Sequence, residues 1–243
     1  MQPLFAAAVP APRIAGVTAP PWPPRVAVFR ALQLGDLLCA VPALRAVRAA
    51  MPNAHITLIG LPWARDFARR FRHYVDDFLD FTGAPGLIER TPAPGEYAAF
   101  LAAAQARRFD LALQLHGDGS HSNAVVRALG ARYTVGCHPA ETAAADPRYS
   151  LEYPEQLPEI RRLLAPLAHV GIAARGEQLE FPVTAEDEAA LDAAWPQRGH
   201  GRYICLHPGA RMPSRRWPAA YFARIAVACA EAGYVPVFTG SAD

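Results

Sequence analysis

The chain has 243 residues, of which 52% are hydrophobic and 19% are charged, and its formal net charge is +2. This balance excludes a disordered protein and argues against a dedicated nucleic-acid binder. No apolar run approaches the roughly 18 residues of a membrane-spanning helix. All 24 basic residues are arginines, so an anion site must use guanidinium groups or backbone amides.

The proline- and alanine-rich residues 1–24 are predicted to form an unstructured leader, with order beginning at Arg25. Short apolar runs then alternate with amphipathic segments. Five strands are predicted, at 25–30, 55–60, 75–81, 110–115 and 132–136. Helices are predicted between them, beginning at Asp36 and Pro62 and covering 97–108 and 120–129. Strands that alternate with helices predict a parallel sheet with helices on both faces, an α/β fold.

The second half predicts a shorter unit of the same kind. The segment 149–171 becomes helical and forms a bridge. Thr184, with Asp187 three positions later, predicts a capped helix. A strand at 203–206, a helix at 218–232 and a strand at 234–239 follow. We therefore predict a leader at 1–24, a first domain at 25–172 and the start of a second domain at 173–243.

A first polar loop, residues 30–36, joins the first strand to the first helix and ends in Gly35 and Asp36. Asp36 has two interpretations. It is the N-cap of the helix, a common role for Asp, or it is a general base at the floor of a cleft. The loop lacks the glycine-rich dinucleotide and P-loop patterns, which disfavours an oxidoreductase with a nicotinamide cofactor.

A second polar loop, residues 116–123, follows the fourth strand and contains two glycines and several polar side chains. Ligands of open parallel sheets gather beyond the carboxyl ends of the strands. This loop is therefore a candidate for hydrogen bonding to a hydroxyl-rich ligand. The alternative is a glycine-rich turn in which Ser120 caps a helix.

A third polar loop, residues 207–218, carries Gly209, which permits close approach of the backbone to a ligand. Arg211, Arg215 and Arg216 precede a helix that has Pro218 in its first turn. Guanidinium groups beside a helix N-terminus suit a diphosphate. The alternative is a solvated basic loop. The four cysteines are scattered and have no metal-ligand spacing, which favours a reducing cytoplasm and no structural zinc.

Two segments carry a resemblance to a known family. Residues 25–60 are RVAVFRALQLGDLLCAVPALRAVRAAMPNAHITLIG. They resemble the opening of glycosyltransferase family 9, the ADP-heptose:lipopolysaccharide heptosyltransferases, with its Gly-Asp loop and Pro-Ala-Leu helix. Residues 203–243 are YICLHPGARMPSRRWPAAYFARIAVACAEAGYVPVFTGSAD. They are similar to the start of the family's donor domain, where a His-Pro-Gly loop leads to Trp-Pro and a helix.

The resemblance implies a GT-B architecture, in which two Rossmann-like domains face a cleft. It implies inverting transfer of heptose from ADP-heptose to the lipopolysaccharide inner core, with no metal. By motif position, Asp36 would deprotonate the acceptor hydroxyl. The predicted donor-phosphate site comprises Gly209, Ala210, Arg211, Arg215 and Arg216. The predicted acceptor site comprises Arg30, Gln33, Gly35, His116, Ser122 and Asn123.

The resemblance also implies a cytoplasmic protein whose acceptor, carried on lipid A, brings it into peripheral contact with the inner face of the membrane. The family's donor domain continues past the position of Asp243 with a further motif against the donor. We therefore interpret the chain as a C-terminally truncated member and expect that it is inactive as given. The alternative is a non-catalytic remnant that binds a nucleotide or a glycan.

Overall fold

The computed structural model describes residues 25–196, 198–199, 201–210 and 212–240. The predicted leader at 1–24 and the candidate site residue Arg211 lie outside the described residues. The chain divides into two compact units between Pro182 and Val183. Each unit is an α/β arrangement of parallel strands and helices, as the alternating pattern predicts.

The first unit contains a six-stranded parallel sheet in the order β3-β2-β1-β4-β5-β6. The strands are β1 (Arg25–Phe29), β2 (His55–Gly60), β3 (Asp77–Asp80), β4 (Leu111–Gln114), β5 (Tyr133–His138) and β6 (Ser150–Glu152). This is the order of a doubly wound nucleotide-binding fold, whose direction of winding reverses between β1 and β4.

Five helices cover the two faces of this sheet. They are α1 (Leu34–Ala50), α2 (Arg65–Arg70, which follows a 3-10 turn at Pro62–Ala64), α3 (Glu96–Ala106), α4 (Ser122–Ala128) and α5 (Glu159–His169). Helices α1, α2 and α5 share one core with Val26 and Val28, whereas α3 and α4 share the other with Ala27 and Phe29. The alternation arises because successive side chains of a strand point to opposite faces.

The strand predictions for the first unit are confirmed, with one omission. β2 has the predicted bounds, and β1 ends one residue earlier than predicted. The sequence analysis missed β6, which has only three residues and pairs with β5 through Gly136 and Ser150. So short a strand has no apolar run of its own, and only its pairing with β5 defines it.

The second unit contains α6 (Ala185–Ala194), β7 (Tyr203–Leu206), α7 (Ala219–Glu231) and β8 (Val235–Phe238). β7 and β8 form a two-stranded parallel sheet. The predicted cap of α6 is confirmed, because the Thr184 hydroxyl accepts a hydrogen bond from the Asp187 N–H at 3.2 Å. Among the described apolar residues of this unit, Leu206 alone is buried.

The boundary between the units lies ten residues beyond the predicted one, because residues 173–182 are bound to the first unit. Arg45 of α1 donates a hydrogen bond to the Gln178 carbonyl at 2.9 Å and pairs with Glu180 at 3.3 Å. Arg161 of α5 pairs with Glu177 at 3.0 Å. These long-range contacts follow from no local sequence pattern.

Within the described ranges, none of the helices has the length and apolar character needed to cross a membrane. In the same part of the chain, no three His, Cys, Asp or Glu side chains come together as a set of metal ligands. All four cysteines are free.

Candidate functional site

The first and second polar loops lie side by side at the point where the winding of the sheet reverses. β1 and β4 are hydrogen-bonded neighbours, and the chain leaves them towards α1 on one face and α4 on the other. Such a divergence opens a crevice beyond the carboxyl ends of the strands, where ligands of these folds bind. The fold therefore joins two loops that are about 85 residues apart, since Ala31 and His116 are hydrogen-bonded there.

Asp36 lies in the first turn of α1 and is partly exposed. Its Oδ2 accepts a hydrogen bond from the Gln33 N–H at 3.2 Å, while Oδ1 has no hydrogen-bond partner among the described residues. The N-cap of α1 is Gln33, and Asp36 is its capping-box partner at the third helical position, so Asp36 does cap the helix but from inside its first turn. The carboxylate is held by one oxygen and leaves the other available to a ligand. Gly35 is exposed, and a Cβ there would meet no atom within 4 Å.

Arg30, predicted to contact the acceptor, is fully buried. Its Nε donates to the Asp36 carbonyl at 2.7 Å, its Nη1 donates to the Leu115 carbonyl, and its Nη2 pairs with Glu159 at 2.8 Å. A guanidinium enclosed in this way does not reach a ligand at the loop surface. The burial arises because Arg30 directly follows β1, which lies between β2 and β4, and because its side chain is surrounded by α1, the end of β4 and α5.

His116 begins the second loop and is almost completely buried. Its Nδ1 accepts a hydrogen bond from the Ala31 N–H at 3.2 Å, which assigns the ring proton to Nε2 in the neutral form. Nε2 lies 3.6 Å from Glu89 Oε1. Burial lowers the pKa of His116, an effect that the Glu89 carboxylate opposes. At neutral pH the imidazole is therefore a neutral donor through Nε2.

Ser122 and Asn123 hold the second loop in shape. The buried Ser122 hydroxyl donates to the His116 carbonyl at 2.6 Å, and Gln114 donates to that hydroxyl at 2.5 Å. Asn123 donates to the Cys137 carbonyl at 2.8 Å. Gly119 has φ +94°, and a Cβ there would lie 2.4 Å from the same carbonyl, so this turn requires glycine.

The interpretation of Ser120 as a helix cap is wrong. Its N–H and hydroxyl are bonded to Asp118 Oδ1 at 2.9 and 2.7 Å, which makes a local turn. Helix α4 begins two residues later, at Ser122, with His121 as its N-cap. Asp118 therefore keeps Ser120 in the loop, although Ser120 was predicted to begin the helix.

A cavity of about 260 Å³ opens at this loop and is lined by Glu89, His116, Asp118, Ser120 and Ser122, among others. Ser120 also lines a neighbouring groove of about 650 Å³, whose walls include Asn123, Arg127, Arg132 and Arg148. The structure thus brings His116 and Ser122 to one cavity and Asn123 to the adjoining groove. The groove has a volume typical of sites for small ligands, whereas the cavity is slightly smaller than most such sites.

Two carboxylates of this site were missed by the sequence analysis. Glu89 comes from the irregular loop before α3, and its Oε2 is buried without a hydrogen-bond partner among the described residues. Glu159 comes from the first turn of α5 and pairs with Arg30. No sequence signal could have found either residue, because both reach the site through tertiary contacts.

The third polar loop lies in the second unit, at the carboxyl ends of β7 and β8. His207 Nδ1 and the Thr239 hydroxyl are 3.0 Å apart and link the two strand ends. Arg216 donates to the Ala210 carbonyl at 2.6 Å and so braces the loop. Gly209 and Arg215 are exposed, and the Arg215 guanidinium has no partner among the described residues. A free guanidinium beside an open backbone segment can accept a phosphate group.

Comparison with known sequences identifies one family. Residues 98–243 match the sequence model of glycosyltransferase family 9 (heptosyltransferase). This match covers more than half of the chain and includes the second and third polar loops. A search of curated proteins finds no match.

Solved structures of similar fold include proteins from Veillonella parvula and from E. coli. A family 9 glycosyltransferase from Veillonella parvula DSM 2008 is 18% identical, with a TM-score of 0.67 over 90% of this chain and 62% of that one. The E. coli heptosyltransferase WaaC with ADP is 18% identical, with a TM-score of 0.59 over 90% of this chain and 68% of that one. WaaC with ADP-2-deoxy-2-fluoro heptose has a TM-score of 0.57, again at 18% identity, over 90% and 69%.

At this identity the likeness concerns the fold, and it confirms the predicted GT-B-type α/β class. The chain spans 62% of the length of the Veillonella protein.

Proposed function

The chain belongs to glycosyltransferase family 9, and from that premise we propose that it takes part in inverting transfer of heptose from ADP-heptose to a sugar hydroxyl of the lipopolysaccharide inner core. The observation that supports the proposal most directly is Asp36. Its carboxylate lies in the first turn of α1, the helix that follows β1, with Oδ1 unpartnered among the described residues. A general base needs such a free, positioned oxygen.

In the proposed reaction, Asp36 takes the proton of the acceptor hydroxyl as the hydroxyl oxygen attacks the anomeric carbon of the heptose. The new C–O bond forms on the face opposite to the bond that breaks, so the anomeric configuration inverts. The sugar–phosphate bond breaks, and its electron pair leaves with ADP. Negative charge on the departing diphosphate is where fixed positive charge lowers the barrier.

The second unit is proposed to bind that diphosphate. The exposed Gly209, the partly exposed Ala210 and the Arg215 guanidinium, which has no partner among the described residues, offer donors to phosphate oxygens. Arg216 contributes by bracing the loop through the Ala210 carbonyl. Arg211 keeps its predicted role in phosphate binding, although it lies outside the described residues.

The acceptor is proposed to occupy the cavity and groove of the first unit. Gln33 and Gly35 border the base at the exposed start of α1. His116 offers a neutral N–H donor, while Ser122 and Asn123 shape the walls. A core oligosaccharide on lipid A would place the protein in the cytoplasm, in peripheral contact with the inner face of the membrane.

Titration calorimetry of the 243-residue chain with ADP tests the donor half of the proposal. We expect binding, and we expect Arg215→Ala to weaken it by about 10- to 100-fold, the effect of removing a charged hydrogen-bond donor. Arg224→Ala, an exposed arginine on α7, is the matched control and should leave the affinity unchanged. Binding without any turnover would favour the non-catalytic remnant. Failure to bind ADP or any ADP-sugar would refute the donor site.

A further inference from the structure

We propose that Arg30 is a positioning residue, which holds the loop and first helical turn that carry Asp36 in the orientation needed for proton transfer. The inference rests on the proposed function insofar as Asp36 is the base. It concerns a residue that the sequence analysis assigned to direct acceptor contact and that the structure encloses completely.

Three elements meet at the Arg30 guanidinium. Nε donates to the Asp36 carbonyl at 2.7 Å, in the first turn of α1. Nη1 donates to the carbonyl of Leu115, the residue that follows β4. Nη2 pairs with Glu159 Oε1 at 2.8 Å, in the first turn of α5. The Arg30 side chain therefore links the first turn of α1, the residue after β4 and the first turn of α5.

The planar guanidinium is suited to this arrangement, because its donors point in fixed directions towards three separate acceptors. Burying the cation is expensive unless it is paired, and Glu159 supplies the opposite charge. The other oxygen of Glu159 lies 3.6 Å from Arg162, so the carboxylate is itself held in place. A lysine would keep the charge but could not reach all three acceptors in these directions.

The bond from Arg30 goes to the backbone of the residue whose side chain is the proposed base. Asp36 is otherwise restrained by the capping box that it forms with Gln33, at the exposed start of the helix. Loss of the Arg30 bond would free this turn to shift, and a misplacement of about 1 Å can cost about 100-fold in rate. Arg30 thus acts through Asp36 and makes no contact with substrate.

Hydrogen exchange measured by mass spectrometry on the full chain tests the positioning directly. Arg30→Lys should raise exchange in peptides covering 31–38 by about tenfold, while peptides covering 55–60 keep their protection. Arg45→Lys is the matched control. Arg45 also lies in α1 and joins it to another segment through Gln178 and Glu180. It should change exchange around 176–181 and leave 31–38 unchanged.

Glu159→Gln is the second variant, and it removes the negative charge but keeps an oxygen that can accept from Arg30 Nη2. It should raise exchange in peptides covering 31–38 by a smaller factor than Arg30→Lys does. Unchanged exchange in 31–38 with either variant would overturn the proposal. A uniform rise across the first unit would also overturn it, because that result indicates a general contribution to stability.

A double-mutant cycle on the transfer rate separates positioning from simple stabilisation. Arg30→Lys should lower the turnover number by about 10- to 100-fold in the native background and have almost no effect when Asp36→Asn is already present. Equal losses in both backgrounds would contradict a role through Asp36. If the 243-residue chain transfers no sugar, the exchange experiment by itself decides whether Arg30 holds the loop.

Discussion

The two units have the same alternation of strands and helices but bury their apolar residues very differently. In the first unit Val28 and Leu113 are completely inaccessible, whereas in the second Trp217 and Phe238 remain 50% and 55% exposed. The central strands of the first unit have a neighbour on each side and a helix layer on each face. Among the described residues, β7 and β8 pair only with each other. An apolar pattern therefore specifies a strand, but the number of neighbouring elements decides whether that strand forms a core.

The largest expected effect distinguishes the proposed general base of the first unit from the proposed ADP-binding site of the second. Asp36→Asn should lower the rate of sugar transfer by about 10²- to 10⁴-fold, the usual contribution of a general base. The affinity for ADP, proposed to depend on the second unit, should change little. Steady-state kinetics and calorimetry on the same preparation check the two results. Asp66→Asn, an exposed carboxylate on α2, is the control. Undiminished turnover in Asp36→Asn would place the base elsewhere.

A matched pair of leucines tests the difference in burial. Leu113→Ala should destabilise the first unit by about 2–5 kcal/mol, because it leaves a cavity in a packed core. Leu191→Ala, on the exposed side of α6, should change stability by less than about 0.5 kcal/mol. Urea unfolding followed by circular dichroism measures both. Equal losses would show that the second unit is as well packed as the first.

The difference in burial between the two units should also appear in the alkylation rates of two cysteines. Burial raises the pKa of Cys137 to about 12, so almost none of it is thiolate at neutral pH. Cys205 of β7 is exposed. Alkylation at about pH 8 should therefore modify Cys205 more than about tenfold faster than Cys137, since the thiolate is the nucleophile. Peptide mapping after timed quenching gives the two rates. Comparable rates would mean that β5 opens as readily as β7.

The smallest expected effect concerns the helix cap of the second unit. Thr184→Ala removes the acceptor for the Asp187 N–H and should cost about 1 kcal/mol. That loss corresponds to about fivefold faster hydrogen exchange in peptides covering 185–194. Thr142→Ala, an exposed threonine outside the helices, is the control and should leave exchange in those peptides unchanged. If Thr184→Ala leaves the exchange of α6 unaltered, the cap does not limit its opening.

Sequence patterns predicted much of the architecture, because strand formation and helix capping depend on residues that are close together in the chain. β2 and β7 have the predicted bounds, and Thr184 with Asp187 predicted the start of α6. The family resemblance is confirmed through the match over residues 98–243, which includes the segment 203–243, and the predicted fold is confirmed over most of the chain. The predicted site residues stay predictions of function. What the structure adds is their surroundings, in which Arg30 is enclosed and Ser122 is bonded inside its own loop.

The sequence by itself determined where strands and helices form and which loops carry polar groups. Apolar spacing, caps and glycines act over a few residues, and such information is written along the chain. Only the tertiary structure decided that His116 meets Ala31 and Glu89, that Arg30 binds Asp36, Leu115 and Glu159, and that 173–182 joins the first unit. Those contacts join residues up to 135 positions apart, the separation of Arg45 and Glu180. They depend on strand order and on burial, which are properties of the folded chain as a whole.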